Sequence, residues 1–168
     1  TSDPFWYARN LKTGTSVNCT IPADGALRSL LGRSTSIAID DGNNAYFAND
    51  SKITKFPMTS TGGVYCPTIG GSSTNFTSGD DTFNYPSQIA IDPQDDSIMY
   101  ATSGVQHTIQ KLAVSSSAIT TTTTVGTESK DATPNTATAD ATKTNLYNPR
   151  ALFVSNDRAW IGGGKISI

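Results

Sequence analysis

The side chains best suited to chemistry in this 168-residue chain are few and scattered. The single histidine, His107, has no cluster of cysteine, histidine or carboxylate near it in sequence. Its spacing therefore makes no zinc site, which takes three or four ligands, and it reads as a surface-turn residue. Two oxygen-rich stretches, Asp40-Asp41-Gly42-Asn43-Asn44 and Asp92-Pro93-Gln94-Asp95-Asp96, contain the donors that calcium accepts. They lack the fixed offsets and terminal glutamate of an EF-hand loop, and the same residues are the ordinary material of β-turns. Gly162-Gly163-Gly164-Lys165 has the composition of a phosphate-binding loop but not its spacing. Ala159 stands where the first glycine belongs, and Ile166 replaces the Ser/Thr that must follow the lysine. The glycine run reads instead as a tight bend between two strands. No Gly-x-Ser-x-Gly elbow offers a serine nucleophile. These readings assign no catalytic, cofactor-binding or metal-binding residue.

What must position these residues is a repeated phrase. Ser36-Ile37-Ala38-Ile39-Asp40 returns as Gln88-Ile89-Ala90-Ile91-Asp92 and, more loosely, as Ala151-Leu152-Phe153-Val154-Ser155. Each copy is followed by a polar turn and a second apolar strand: Ala45-Tyr46-Phe47-Ala48, Ile98-Met99-Tyr100-Ala101 and Ala159-Trp160-Ile161-Gly162. An apolar anchor (Leu31, Phe83 or Leu146) precedes each phrase. The copies recur at intervals of about 52 and about 63 residues, in or just above the range of propeller blades and far from helical-repeat periods.

No segment carries a sustained 3.6-residue apolar stripe. Short β-branched and aromatic runs alternate instead with Gly, Asp, Asn and Pro clusters, the pattern of an all-β chain. Four strands are predicted per repeat. Strand A is the repeated phrase, and strand B follows a turn in which Gly42 and Asn43 tolerate positive φ. Strand C is Lys52-Ile53-Thr54-Lys55-Phe56, matched by Thr108-Ile109-Gln110-Lys111-Leu112. Strand D is Val64 to Ile69, matched by Ile119 to Val125, and each closes on glycine (Gly70, Gly126). Four antiparallel strands per repeat make a propeller blade.

The phrase Pro-x-x-Ile-Ala-Ile-Asp, a turn, an aromatic strand, Ile-x-Lys and a Thr/Val run closing on Gly resembles the NHL-type repeats of β-propellers. Asn145-Leu146-Tyr147-Asn148-Pro149-Arg150-Ala151-Leu152 is similar to that family's linker entering strand A. Ser34 stands where the first copy would have its Pro. The resemblance implies an all-β, propeller-like array of four-stranded antiparallel blades, incomplete at both ends. Residues 1–168 form one domain, with a C/D half blade over 1–21, blades over 34–70 and 86–126, and an A/B half blade over 148–168. Residues 127–147, rich in Thr and Ala, make a long exposed linker. The chain begins at Thr1 rather than Met, as expected of a processed product or an excerpt.

Composition narrows the function. Ser and Thr supply roughly a quarter of the residues, whereas charged residues are 15% of the chain, below the usual share of about 25%. The net charge of −2, with no Lys/Arg cluster, leaves no electrostatic footprint for nucleic acid. No run approaches the roughly 20 apolar residues of a membrane span. Sequons at Asn18, Asn49 and Asn75 add the expectation of N-linked sugar on an extracellular or cell-surface protein. Cys19 and Cys66 fall in the strand D regions of successive blades, which fan apart towards the rim. Since a disulfide needs Cα atoms within about 7 Å, the expectation is that each pairs outside this chain. The aromatics Phe5-Trp6-Tyr7 are expected to pack both faces of the first half blade.

The reading is a non-catalytic, secreted glycoprotein module for assembly or binding, the repeating subunit of an extracellular filament or hair, with no cofactor. Its expected partners are other copies of itself, neighbouring blades and glycans. The N-terminal hairpin of one chain is expected to complete the C-terminal half blade of another. The alternative is an excerpt of a propeller enzyme, a lactonase-type hydrolase or a lyase. The resemblance implies Glu, Asn and Asp around a central metal for the former and several histidines for the latter. Here Glu128 is the single glutamate and His107 the single histidine.

Overall fold

The computed structural model describes residues 6–19, 34–49, 52–61, 63–67, 74–77, 85–116, 118–126, 146, 148–156 and 158–163. Within these, every regular element is a β-strand: β1 (Trp6–Arg9), β2 (Ser16–Cys19), β3 (Ser36–Ile39), β4 (Asn44–Asn49), β5 (Lys52–Thr61), β6 (Val64–Pro67), β7 (Thr74–Thr77), β8 (Pro86–Asp92), β9 (Asp95–Ser103), β10 (Thr108–Val114), β11 (Ile119–Val125), β12 (Pro149–Ser155) and β13 (Arg158–Gly163). The expected linker over 127–147 lies, except for Leu146, outside the described residues, as do Leu31 and Phe83.

The fold is all-β and built from antiparallel four-stranded sheets in the manner of propeller blades. The second blade has strand order β8-β9-β10-β11, a meander in sequence order. Its predicted strands fall where alternation and turns put them. The first blade begins in the same way, with β3 paired to β4 and β4 to β5. Its fourth strand differs from the expectation. β5 runs for 10 residues, and β6 pairs only with its distal end, Met58 to Thr61. The proximal end, Lys52 to Lys55, pairs with β7. The Ile53–Phe76 pair in the first blade thus stands where Ile109–Val125 stands in the second. The match of Val64 to Ile69 with Ile119 to Val125, each closing on glycine, predicts the outer strand there. β6 is instead the return strand of an arm projecting from the blade, turned at Gly63, whose φ is +76°. Gly supplies that left-handed conformation without a Cβ penalty.

Two-stranded sheets flank this pair: β1-β2 at one end and β12-β13 at the other. Gly162 and Gly163 belong to β13, paired with Ala151 and Pro149, so the first two glycines of the run extend a strand; Gly164 and Lys165 lie outside the described residues. Gly162 suits this position because a Cβ there would come 3.1 Å from the Ala151 Cβ.

The core lies between blades. From the first blade come Tyr46, Ala48 and Ile53; from the second come Ile89, Met99, Ala101 and Leu112. Strand alternation assigns these to facing surfaces. The downstream face of the first blade meets the upstream face of the second. The downstream face of the second blade, with Gln88, Ala90, Tyr100 and Thr102, then meets β12, which buries Leu152. A backbone-to-side-chain bond repeats at each junction. Ser36 Oγ accepts the Ile89 N–H at 3.1 Å, and Gln88 Oε1 accepts the Leu152 N–H at 3.1 Å. Ser36 and Gln88 occupy the same place in the repeat, as do Ile89 and Leu152. Satisfying a strand N–H at the blade seam fixes the register of one blade on the next.

Candidate functional site

The residues with chemical potential sit mainly at the A–B turns, and the turns use them. Asp40 Oδ1 accepts the Asn44 N–H at 2.7 Å, and its Oδ2 accepts the Tyr46 hydroxyl at 3.0 Å. In the second blade, Asp92 Oδ1 accepts the Gln94 N–H at 3.0 Å and Oδ2 accepts the Tyr100 hydroxyl at 3.3 Å. The repeated aspartate is a turn cap that also anchors a tyrosine from strand B. Burial, then the charge of Asp92 and its hydrogen bond, raise the Tyr100 phenol above the usual tyrosine range. The exposed Asp95 carboxyl is held below its usual range by the Ser97 hydroxyl and backbone N–H. Asp96 reaches across the blade seam to accept the Asp41 N–H at 3.0 Å. Among the described residues, no three His, Cys, Asp or Glu converge as a metal cage.

His107 is not the surface residue expected. It is buried, with φ +58°, and its Nδ1 accepts the Asn148 N–H at 2.9 Å. That bond pins the entry to β12 onto the β9–β10 turn. Sequence spacing could not show it, because the partner is 41 residues away.

The cysteines correct the reading outright. Cys19 and Cys66 form a disulfide within the chain, with Cα atoms 5.4 Å apart. The expectation assumed two outer blade strands, but Cys66 lies on β6, in the projecting arm. The arm passes alongside the N-terminal hairpin, which touches it through both β1 and β2. Asn10 Nδ2 donates to the Gly63 carbonyl at 3.0 Å and binds the two turns together. Of the aromatic trio, Tyr7 is exposed and donates its hydroxyl to Ser16 Oγ at 2.6 Å, so its ring does not pack inward as expected. The side chains of Phe5 and Trp6 lie outside the described residues.

The sequons separate. Asn18 is exposed on β2, whereas Asn49 retains 6% exposure at the end of β4. Asn75 lies on β7, of which the backbone alone is described.

The feature missed by sequence reasoning is the pair of end faces. Ile37 and Ile39 are 46% and 54% exposed, although their repeat equivalents Ile89 and Ile91 pack into the inter-blade core. At the other end, Phe153 and Trp160 are 64% and 51% exposed, their rings tilted at 42° with centroids 5.7 Å apart. They are paired across β12 and β13 as Ala38 is with Tyr46 and Ala90 with Tyr100. A signal was available: the repeat alignment puts two large rings where a blade-facing surface carries Ala and Tyr. Beside Ile39 lies an open cleft of about 530 Å³, lined by Arg9, Leu11 and Lys12 of the N-terminal hairpin and by Gly63, Val64 and Tyr65 of the arm.

No family model matches the chain, and no curated protein matches it. Among solved structures it is similar to a crystallised protein from Lactobacillus plantarum, with 14% sequence identity and a TM-score of 0.41. The alignment covers 74% of this chain and 34% of the other, so the chain spans about a third of that protein's length.

Proposed function

We propose that this chain is a non-catalytic, NHL-type propeller module, secreted or displayed at a cell surface, whose work is assembly or binding. The carrying observation is the pair of exposed apolar end faces, Ile37 with Ile39 and Phe153 with Trp160. Each occupies a surface that elsewhere in the chain is a blade seam. Apolar sheet faces rimmed by polar residues are characteristic of interaction sites. The turn carboxylates, which would be the reactive groups of an enzyme, are engaged in capping turns and anchoring tyrosines. The Cys19–Cys66 bond suits an oxidising compartment outside the cytoplasm. Among the described residues no helix is long and apolar enough to cross a membrane. A repeating filament or hair subunit, glycosylated at Asn18, fits these features.

Sedimentation of the oxidised protein over a wide concentration range tests the reading. Reversible association, or retention of a polymer or glycan ligand, is the expected result. A protein that stays monomeric, binds neither, and carries a stoichiometric divalent metal would belong with the propeller enzymes instead.

A further inference from the structure

The two end faces are the two halves of one seam. Inside the chain, a downstream face bearing Ala38 and Tyr46 meets an upstream face bearing Ile89 and Ile91. The same kind of contact recurs where Ala90 and Tyr100 face β12 with its buried Leu152. In repeat terms, Ile37 and Ile39 form an upstream face with no blade before it among the described residues. Phe153 and Trp160 form a downstream face against which none of the described strands packs.

The strand edges match as well. Among the described residues, β13 pairs only with β12 and β1 only with β2. The N-terminal hairpin stands on the upstream side, since Ile39 and β1 line the same cleft. It is tied there by the disulfide and the Asn10–Gly63 bond. It packs on the arm through β6 and leaves an open cleft between its own turn, the arm and Ile39.

We propose that the occupant is a second copy of this chain, joined head to tail. β12 and β13 of one copy enter beside β1 and β2 of the next, giving a shared four-stranded blade in the order β12-β13-β1-β2. The downstream face of that sheet, with Phe153 and Trp160, then covers Ile37 and Ile39. The interface is heterologous, so it closes as a ring or propagates as a fibre according to the angle between copies. Strand addition supplies backbone hydrogen bonds and the apolar face supplies specificity. The proposal rests on the assembly reading above and specifies its surfaces.

The test is complementation between two variants at exposed positions, Ile39→Arg and Trp160→Arg, each checked for an unchanged thermal melt and an intact disulfide. Each variant alone blocks one end, and its self-association should weaken by about a hundredfold or more, because an unpaired charge would be buried at the seam. Mixed in equal amounts, the variants retain one sound upstream face and one sound downstream face. They should form a heterodimer that grows no further. A second readout needs no charge at the seam: in a Trp6→Phe background, Trp160 emission should shift to the blue as the chain associates.

If the unmodified protein associates while both variants associate equally well, or the mixture stays monomeric, the head-to-tail seam is wrong and assembly runs through another surface. An unmodified protein that remains monomeric, with Trp160 emission constant, overturns the seam and the assembly reading together.

Discussion

Tyr46 shows how much of this fold turns on single side chains at the blade seam. Its ring is 1% exposed between the first two blades, its hydroxyl donates to Asp40, and the Lys55 ammonium lies 5.4 Å from the ring centroid. Burial first, then the hydrogen bond to Asp40 and the charges of Asp40 and Asp96, push the phenol far above the usual tyrosine range. Below about pH 10 the phenol is protonated in both the folded and the unfolded chain, so it contributes no pH dependence there. Above that, the unfolded chain releases the proton and the folded chain keeps it. Stability must therefore fall with rising pH, by up to about 1.4 kcal/mol per pH unit from this group. Tyr46→Phe should flatten that alkaline fall and cost about 1 kcal/mol at neutral pH through the lost bond. Urea titrations on either side of about pH 10 check the point; an unchanged alkaline slope would refute it. A second residue-scale test lies at Gly126, whose φ is +100° and whose added Cβ would come 2.5 Å from the His107 carbonyl oxygen. Gly126→Ala should cost about 1–3 kcal/mol, read from the same titrations. It should also loosen the His107–Asn148 contact that seats β12.

At the scale of elements, the arm formed by the distal half of β5 and by β6 joins the N-terminal hairpin to the first blade. The disulfide closes a loop with a sequence separation of 47, for which chain entropy gives a contribution of about 4 kcal/mol at most. The double variant Cys19→Ser, Cys66→Ser should lose part of that figure. The loss should be local, because the inter-blade core draws on neither the hairpin nor the arm. Hydrogen exchange should show protection falling over residues 6–19 and 58–67 and persisting over 86–114, since elements with few buried contacts open first. Uniform loss of protection would mean that the hairpin is integral to the core. The same element explains why strand D and the cysteine pairing differ from expectation. Val64 to Ile69 holds the place of Ile119 to Val125 in the repeat, which assigns it and Cys66 to a blade rim. Place in a repeat shows that a segment is a strand, but it cannot say which edge the strand joins.

At the scale of the whole molecule, the exposed end faces Ile37 with Ile39 and Phe153 with Trp160 carry the proposed seam, and the complementation of Ile39→Arg by Trp160→Arg tests it. The all-β class, the repeat, the A–B hairpins with their polar turns, and the four strands of the second blade are legible in the sequence. Each is written in short-range signals: period-two alternation, turn residues that tolerate positive φ, and a phrase repeated at blade spacing. Tertiary packing alone brings Cys19 to Cys66, makes β7 rather than β6 complete the first blade, and puts His107 at a seam. It alone separates Ile37 from Ile89, the same residue type in the same phrase, the first half-exposed and the second 3% exposed. Burial there depends on whether another blade stands against that face, and no residue within the phrase carries that information.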